Sequence, residues 1–428
     1  MDAITPPTSV PEFPLSRFAH AHFTGGVRAF RKLVIRGAFL QLLTLGIYRF
    51  WLTTDMRRFL WANTDIGGES AEYTGTAMEL FLGFLIAIAV LVPIYVLIFI
   101  GTLELGLLSQ LSGVLAFVFL AGFGQYAFFR ARRYRLTRTV FRGVRCHQTG
   151  SAARYALLSI LWGFLVVFTL GLAYPFAQAS LERYKMSCTH YGDLQGSFAG
   201  RGRTLFLRGL LLWLIIVGPL LAALVIGVLA IDWRSIADAI ANGASRDIGR
   251  VLQSNTNFKV ALGLLGGGFT WFIFAGMLLY PAFQAMVLRW WLAGLRFGDA
   301  AVSSRLRTRQ VYGAYFRYIG YVLLVTIAAS LIIAVIGGAT AAGIKGFGLK
   351  GDAVTATVAV LGGAGYVLIA LCVWIIYQVA VKLRLWRIMV DSVEITGLDV
   401  IERVRADTTR PSSAIGEGLV DALGASGI

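Results

Sequence analysis

The chain has 428 residues, 57% of them hydrophobic, with a mean hydropathy of +0.72, well beyond the roughly half-apolar usage of soluble domains. Its formal charge of +17 comes from short basic stretches flanking apolar runs, which argues against a basic nucleic-acid-binding domain and for a membrane address. Cys146, Cys188 and Cys372 lack CxxC spacing and indicate neither a disulfide framework nor a zinc site.

Residues 1–22 carry Pro6, Pro7, Pro11 and Pro14 and no apolar core, so they read as a flexible arm rather than a signal peptide. Residues 23–402 then form one transmembrane domain. Its first apolar segment, Leu33 to Trp51, is free of charge only from Gly37 to Tyr48. That is short for a crossing and suits an interfacial or re-entrant helix with a weak point at Thr44 and Gly46. Arg57 and Arg58 follow on a basic, aromatic-rich helix. Two spans, Leu80 to Leu103 and Leu105 to Phe129, are separated by little more than Glu104 and predict a tight hairpin. An eight-arginine linker follows, then the apolar segment Tyr155 to Ser180, whose FTLGLAYPF echoes LTLGIYRFW and is weakened by Gly171 and Pro175. A span from Thr204 to Ile231, a polar excursion from Asp232 to Lys259, a further span and a last hairpin, Tyr318 to Ile344 and Ala353 to Val381, complete the domain. Residues 403–428 read as a mobile polar tail.

Five related boxes, near 44–75, 124–151, 169–200, 280–299 and 377–397, organise this domain. Each sets a Tyr at a membrane exit, then an Arg beside an aromatic, then a Gly-containing turn. Tyr and Trp favour the headgroup layer and Arg its cytoplasmic side, so every copy is expected to face the cytoplasm. Of 39 basic residues, all but Arg234, Arg246, Arg250, Lys259, Lys345 and Lys350 then fall on one side, provided that three hairpins span and the segments at 33–51 and 155–180 do not. The fold class that follows is all-α: a polytopic helical membrane protein of six to eight membrane segments built from internal repeats, two of them re-entrant in the preferred threading. Both termini are placed in the cytoplasm.

Phe23-Thr24-Gly25, Leu43-Thr44-Leu45-Gly46-Ile47-Tyr48 with Trp51, Arg57-Arg58-Phe59, Asn63-Thr64 and Tyr73-Thr74-Gly75 resemble the opening motif of the YjgN family, bacterial inner-membrane proteins with a domain of unknown function. The resemblance continues through Phe141-Arg142-Gly143-Val144-Arg145, Thr169-Leu170-Gly171-Leu172, Pro175-Phe176, Arg183-Tyr184 and Tyr191-Gly192-Asp193 to about Gly397. A third TLG is missing before Tyr377. The resemblance implies a bacterial inner-membrane protein without supplying an activity.

Two functional classes remain. One is a transporter-like, channel-like or lipid-interacting protein with an arginine-rich cytoplasmic face. In that reading Thr44, Gly46, Thr169, Gly171 and Pro175 are the candidate helix breaks that line a path, and Arg57, Arg58, Arg142, Arg145, Arg183 and Arg289 are candidates for contacting anionic headgroups or an anionic solute. The other is a non-transporting scaffold or partner subunit, in which the same arginines only anchor topology. Partners expected are the lipid bilayer, with anionic headgroups, and no nucleic acid. No catalytic constellation, cofactor loop or metal-ligand spacing is present, so an enzyme is not expected.

Overall fold

Strands of two to five residues set the architecture, although helices make up most of the computed structural model. It describes residues 18–104, 107–231, 233, 234, 237, 238, 256–347, 351–402, 404, 405, 419 and 423. The strands are β1 (Ala19–Phe23), β2 (Thr64–Ile66), β3 (Glu69–Ser70), β4 (Glu72–Tyr73), β5 (Thr139–Phe141), β6 (Val144–Gln148), β7 (Thr189–Tyr191), β8 (Leu194–Phe198), β9 (Leu295–Phe297), β10 (Ala300–Ser304) and β11 (Val393–Thr396). They form a single antiparallel sheet in the order β3-β2-β1-β11-β10-β9-β8-β7-β6-β5-β4. Its two ends, β3 and β4, are separated only by Ala71, so the sheet comes nearly full circle.

Four of the five Gly-containing box turns are hairpins of this ring; the fifth, at Gly397, leads from β11 into a short helix, Asp399–Glu402. Gly67 and Gly68, and Arg142 and Gly143, have positive φ at both central positions, the condition for a type I′ turn. At Gly192-Asp193 and Gly298-Asp299 only the glycine is positive, as in type II′. The second strand of a hairpin pairs first with its own partner and then with the next hairpin: Arg145 pairs with Val140, whereas Cys146 pairs with Tyr191. The last junction is made by the two ends of the chain, His20 opposite Glu394. Ala19–Phe23 therefore overlaps the expected flexible arm and is paired on both sides, with β11 and β2; residues 1–17 lie outside the described residues. The expectation of an all-α protein is corrected by this sheet. Six of the eleven strands have only two or three residues, short of the four to eight that give a strand its sequence signature, and most of the strand pairings join different boxes, far along the chain.

Between strands run α1 (Val27–Leu43) and α2 (Arg49–Ala62), α3 (Ala77–Glu104) and α4 (Leu107–Thr137), α5 (Ala152–Phe168) and α6 (Tyr174–Ser187), α7 (Gly202–Ala230) and α8 (Thr256–Gly294), and α9 (Thr308–Phe347) and α10 (Gly351–Tyr377). The last continues through a π-helix, Gln378–Lys382, into α11 (Leu383–Asp391). Each pair leaves the ring from one strand and returns to another. Successive helices pack side by side and α10 with the π-helix packs on α1, so the helical layer closes as the sheet does. The bounds 27, 43, 49 and 62 of α1 and α2 recur at 152, 168, 174 and 187 in α5 and α6, a constant offset of 125 (152 − 27 and 187 − 62).

Among the described residues, five helices are long and apolar enough to cross a membrane: Ala77–Leu97, Gly202–Ala230, Thr256–Gly294, Thr308–Gly337 and Gly362–Asp391. The sixth expected span, from Leu105, forms as α4 but is not among those five. Leu229, Leu324 and Val335 are 79%, 65% and 71% exposed, on helices whose outer surfaces are continuously apolar, which suits a lipid surround rather than water. Near the sheet the interior is packed: Phe30, Val34 and Leu60 of α1 and α2 are fully buried against Phe23 and Leu383.

Candidate functional site

The candidate helix breaks lie at two reversals of the chain. At Thr44 the first helix ends in a Schellman arrangement: the Gly46 amide donates to the Gln41 carbonyl at 2.7 Å and the Leu45 amide to that of Leu42 at 3.3 Å. Leu45 has φ 50° and Gly46 φ 93°. The Thr44 hydroxyl donates to the Leu40 carbonyl at 2.8 Å and accepts from the Tyr48 amide at 2.9 Å, tying the two helices together. Thr169 repeats both contacts, with the Leu165 carbonyl at 2.7 Å and the Ala173 amide at 3.0 Å, and Leu170 and Gly171 have φ 50° and 92°. Pro175 stands in the first turn of α6, where its missing N–H costs nothing. These residues therefore end one helix and start the next. In the second reversal, Trp213 Nε1 of α7 donates to the Leu170 carbonyl at 2.8 Å. Both tips are apolar and open: Leu43, Leu45 and Phe168 are 65%, 95% and 81% exposed.

The candidate arginines are dispersed, and most have partners within the protein. Arg57 is buried on α2 and donates from Nη1 to Tyr73 Oη at 3.2 Å. Arg58 Nη2 donates to the Gly75 carbonyl at 2.9 Å. Arg142 pairs with Glu69 at 3.2 Å across the ring closure, and Arg145 Nη1 donates to the Thr137 carbonyl at 3.3 Å. Arg183 is exposed on α6 and Arg289 is half-buried on α8. The structure does not gather these six into one site.

What it does show is a recurrent joint. Arg58, Arg133, Arg183, Arg289 and Arg387 each stand six residues before the first residue of a strand, β2, β5, β7, β9 and β11. In three of the five the guanidinium donates to the carbonyl of a glycine at the start of the next helical pair: Arg58 to Gly75, Arg133 to Gly150 and Arg387 to Gly25. The glycine is required there. A Cβ at Gly25 or Gly75 would stand 2.5 or 2.6 Å from the ring of Phe23 or Tyr73, and one at Gly200 2.4 Å from that of Phe198. At Gly25 and Gly75 the aromatic two residues upstream folds back over the glycine and the arginine holds its carbonyl; at Gly150 a Cβ would instead meet Cys188 Sγ at 2.4 Å.

The motifs at these joints are those of the resemblance noted in the sequence. The family model described as a bacterial protein of unknown function, DUF898, matches residues 19–422. The chain belongs to this family. DUF898 and the YjgN family are one and the same. No curated protein and no solved structure matches the chain.

In this DUF898 chain a second polar group lies under the ring between α4, α6 and α8. Arg132 Nη1 donates to Gln148 Oε1 at 2.9 Å and to Thr189 Oγ1 at 2.8 Å. Lys185 donates to Glu182, which also accepts from Trp291 Nε1 at 3.1 Å. Burial pushes the Lys185 ammonium below its ordinary pKa; Glu182 opposes that shift and Arg132 and Arg135 add to it. The group joins three helical pairs by hydrogen bonds that leave Glu182 buried but partnered and Gln148 bonded through Oε1 alone, its Nε2 buried without a partner. His147 and His190 stack at 4.8 Å between ring centroids across β6 and β7. Among the described residues no cluster of His, Cys, Asp or Glu could hold a metal ion.

The arginine keeps no fixed distance from the exit tyrosines, because the helices between tyrosine and strand differ in length; its distance to the strand that follows is constant.

Proposed function

We propose that the protein lies in the bacterial inner membrane with its strand ring and both termini on the cytoplasmic side, and that it is a lipid-interacting, transporter-like or channel-like protein built by repetition of a strand-helix-helix-strand unit. Three helical pairs, α3–α4, α7–α8 and α9–α10, cross the bilayer; α1–α2 and α5–α6 enter it from the cytoplasm and return. The observation that carries this is the pair of reversals. A helix of 17 residues is about 26 Å long, less than the roughly 30 Å hydrocarbon core. Its chain turns back at once, and the tip is an exposed cluster of Leu and Phe. Such a tip is costly in water and favourable in acyl chains. The positive-inside bias supplies the orientation.

Arg58, Arg133 and Arg387 are tied to backbone carbonyls, which favours a structural role for the boxes as joints and leaves lipid contact to other residues. The test is cysteine accessibility from each face of the membrane in a cysteine-free background, with Ser151→Cys before α5 and Thr204→Cys after α6 as the deciding pair. Both are expected to react only from the cytoplasm. Labelling from opposite sides would make α5–α6 a crossing and move the preference to the scaffold reading.

A further inference from the structure

Between α1, the first turns of α9, the π-helix and α11 lies a cavity of about 760 Å³. Six arginines reach it, Arg31, Arg305, Arg307, Arg317, Arg384 and Arg387, against one carboxylate, Asp391. Three of these seven charges are engaged already. Asp391 accepts from the Phe23 amide at 2.8 Å, Arg305 pairs with Glu394 at 2.6 Å, and Arg387 donates to the Gly25 carbonyl at 3.3 Å. Arg31, Arg307, Arg317 and Arg384 have no ion pair among the described residues.

The lining changes character along the helix axes. α9 runs outward from the ring and α10 to α11 runs back, so Arg307, Arg384 and Arg387 lie nearer the sheet and Tyr321, Ile375 and Ile376 farther from it. The π-helix Gln378–Lys382 sits between the apolar and the basic parts of the wall, an irregularity that is frequent at functional sites. Guanidinium groups match phosphate oxygens in pairs, and on this wall Arg31, Arg307 and Arg317 are exposed and Arg384 is half-buried, open to a bound anion.

We propose that this cavity holds a phosphate-bearing amphiphile, with its phosphate on Arg317 and Arg384 and its apolar chain against Tyr321, Ile375 and Ile376. The inference rests on the membrane placement above, which sets the apolar end of the cavity at the depth of acyl chains.

The test measures binding of dioctanoyl phosphatidic acid to the purified full chain in detergent micelles by native mass spectrometry, beside glycerol 3-phosphate, which has the phosphate and no chains. The double variant R317Q/R384Q is compared with R203Q/R208Q, which removes the same charge from exposed positions on α7. The expected result is at least a tenfold loss in the first variant and little change in the second, with glycerol 3-phosphate binding at least tenfold more weakly than the lipid. Ile376→Trp, which fills the apolar end and leaves every arginine in place, is expected to weaken the lipid alone and decides the matter if the arginine variant does not fold. Equal losses in both charge variants would show general surface attraction and overturn the proposal. So would glycerol 3-phosphate binding as tightly as the lipid, which makes the occupant a free phosphate solute, or lipid binding unchanged by Ile376→Trp. Because micelles expose both faces, failure here leaves the topology test unaffected.

Discussion

Gly75→Ala tests whether the joint between ring and helices is held as the geometry describes. The new Cβ would stand 2.6 Å from Cζ and Oη of Tyr73. Tyr73 is buried, its ring lies 5.7 Å from that of Trp61, and its Oη accepts from Arg57 at 3.2 Å. The ring cannot swing aside without disturbing both neighbours. Overpacking of this kind costs about 1–3 kcal/mol, and loosening a hydrogen bond from a charged donor adds up to about 1.5–3 kcal/mol. Tyr73→Ala is destabilising by itself, yet it empties the space that the methyl group needs. In that background Gly75→Ala is therefore expected to cost less than about 0.5 kcal/mol, a coupling of at least about 1 kcal/mol between the two sites. Tyr73→Phe offers no such rescue, because Cζ and Cε1 of the ring remain in the way. Equilibrium unfolding of the four proteins by dodecyl sulfate in mixed micelles, followed by tryptophan fluorescence, gives the cycle. Additive effects, with Gly75→Ala equally costly whether or not position 73 carries a ring, would refute the account of the joint.

Leu45→Gly and Leu170→Gly each relieve a side chain held at φ 50°; each is expected to stabilise the protein in micelles by about 1 kcal/mol, read from the same unfolding curves. Ala21→Pro removes a ladder amide from β1, a strand paired on both sides, with β11 and β2; a loss of about 1–3 kcal/mol is expected in the unfolding curves and a tendency to associate through the opened edges in size-exclusion profiles. The thiol of Cys146 is pushed up to about 11 by burial, partly opposed by Arg132. With Cys146 as the only cysteine, its thiolate fraction at pH 8 is about one in a thousand, against about one in ten for a thiol at the ordinary value of 9.0. Its alkylation by iodoacetamide should rise about tenfold per pH unit to near pH 11, and a plateau near pH 9 would contradict the burial.

Much of the membrane domain was legible in the chain because an apolar run of twenty residues has few alternatives to a helix in lipid. The two TLG segments stand out in the sequence, and in the structure they are the two helix reversals. Thr44 and Thr169 could be read as weak points, but nothing local says whether a helix kinks there or ends. That depends on Leu45 and Leu170 adopting positive φ and on the short helices packing back on each other. Arg58 was visible as a basic residue beside an aromatic. Its partner, the Gly75 carbonyl, is 17 positions away across a hairpin, beyond the reach of any pattern of spacing.

The sequence by itself determined that the chain carries long apolar segments of membrane-spanning length, basic-aromatic stretches beside them and the motifs of its family, since composition and hydropathy are sums over residues and need no coordinates. Only the tertiary structure decided that four of the box turns are hairpins of one nearly closed sheet and that β1 pairs with β11 to complete it. It also brought Arg31, Arg317 and Arg384 to a single cavity. Each of these is a contact between residues far apart in sequence, fixed by how two- to five-residue strands find partners and not by what any one stretch prefers.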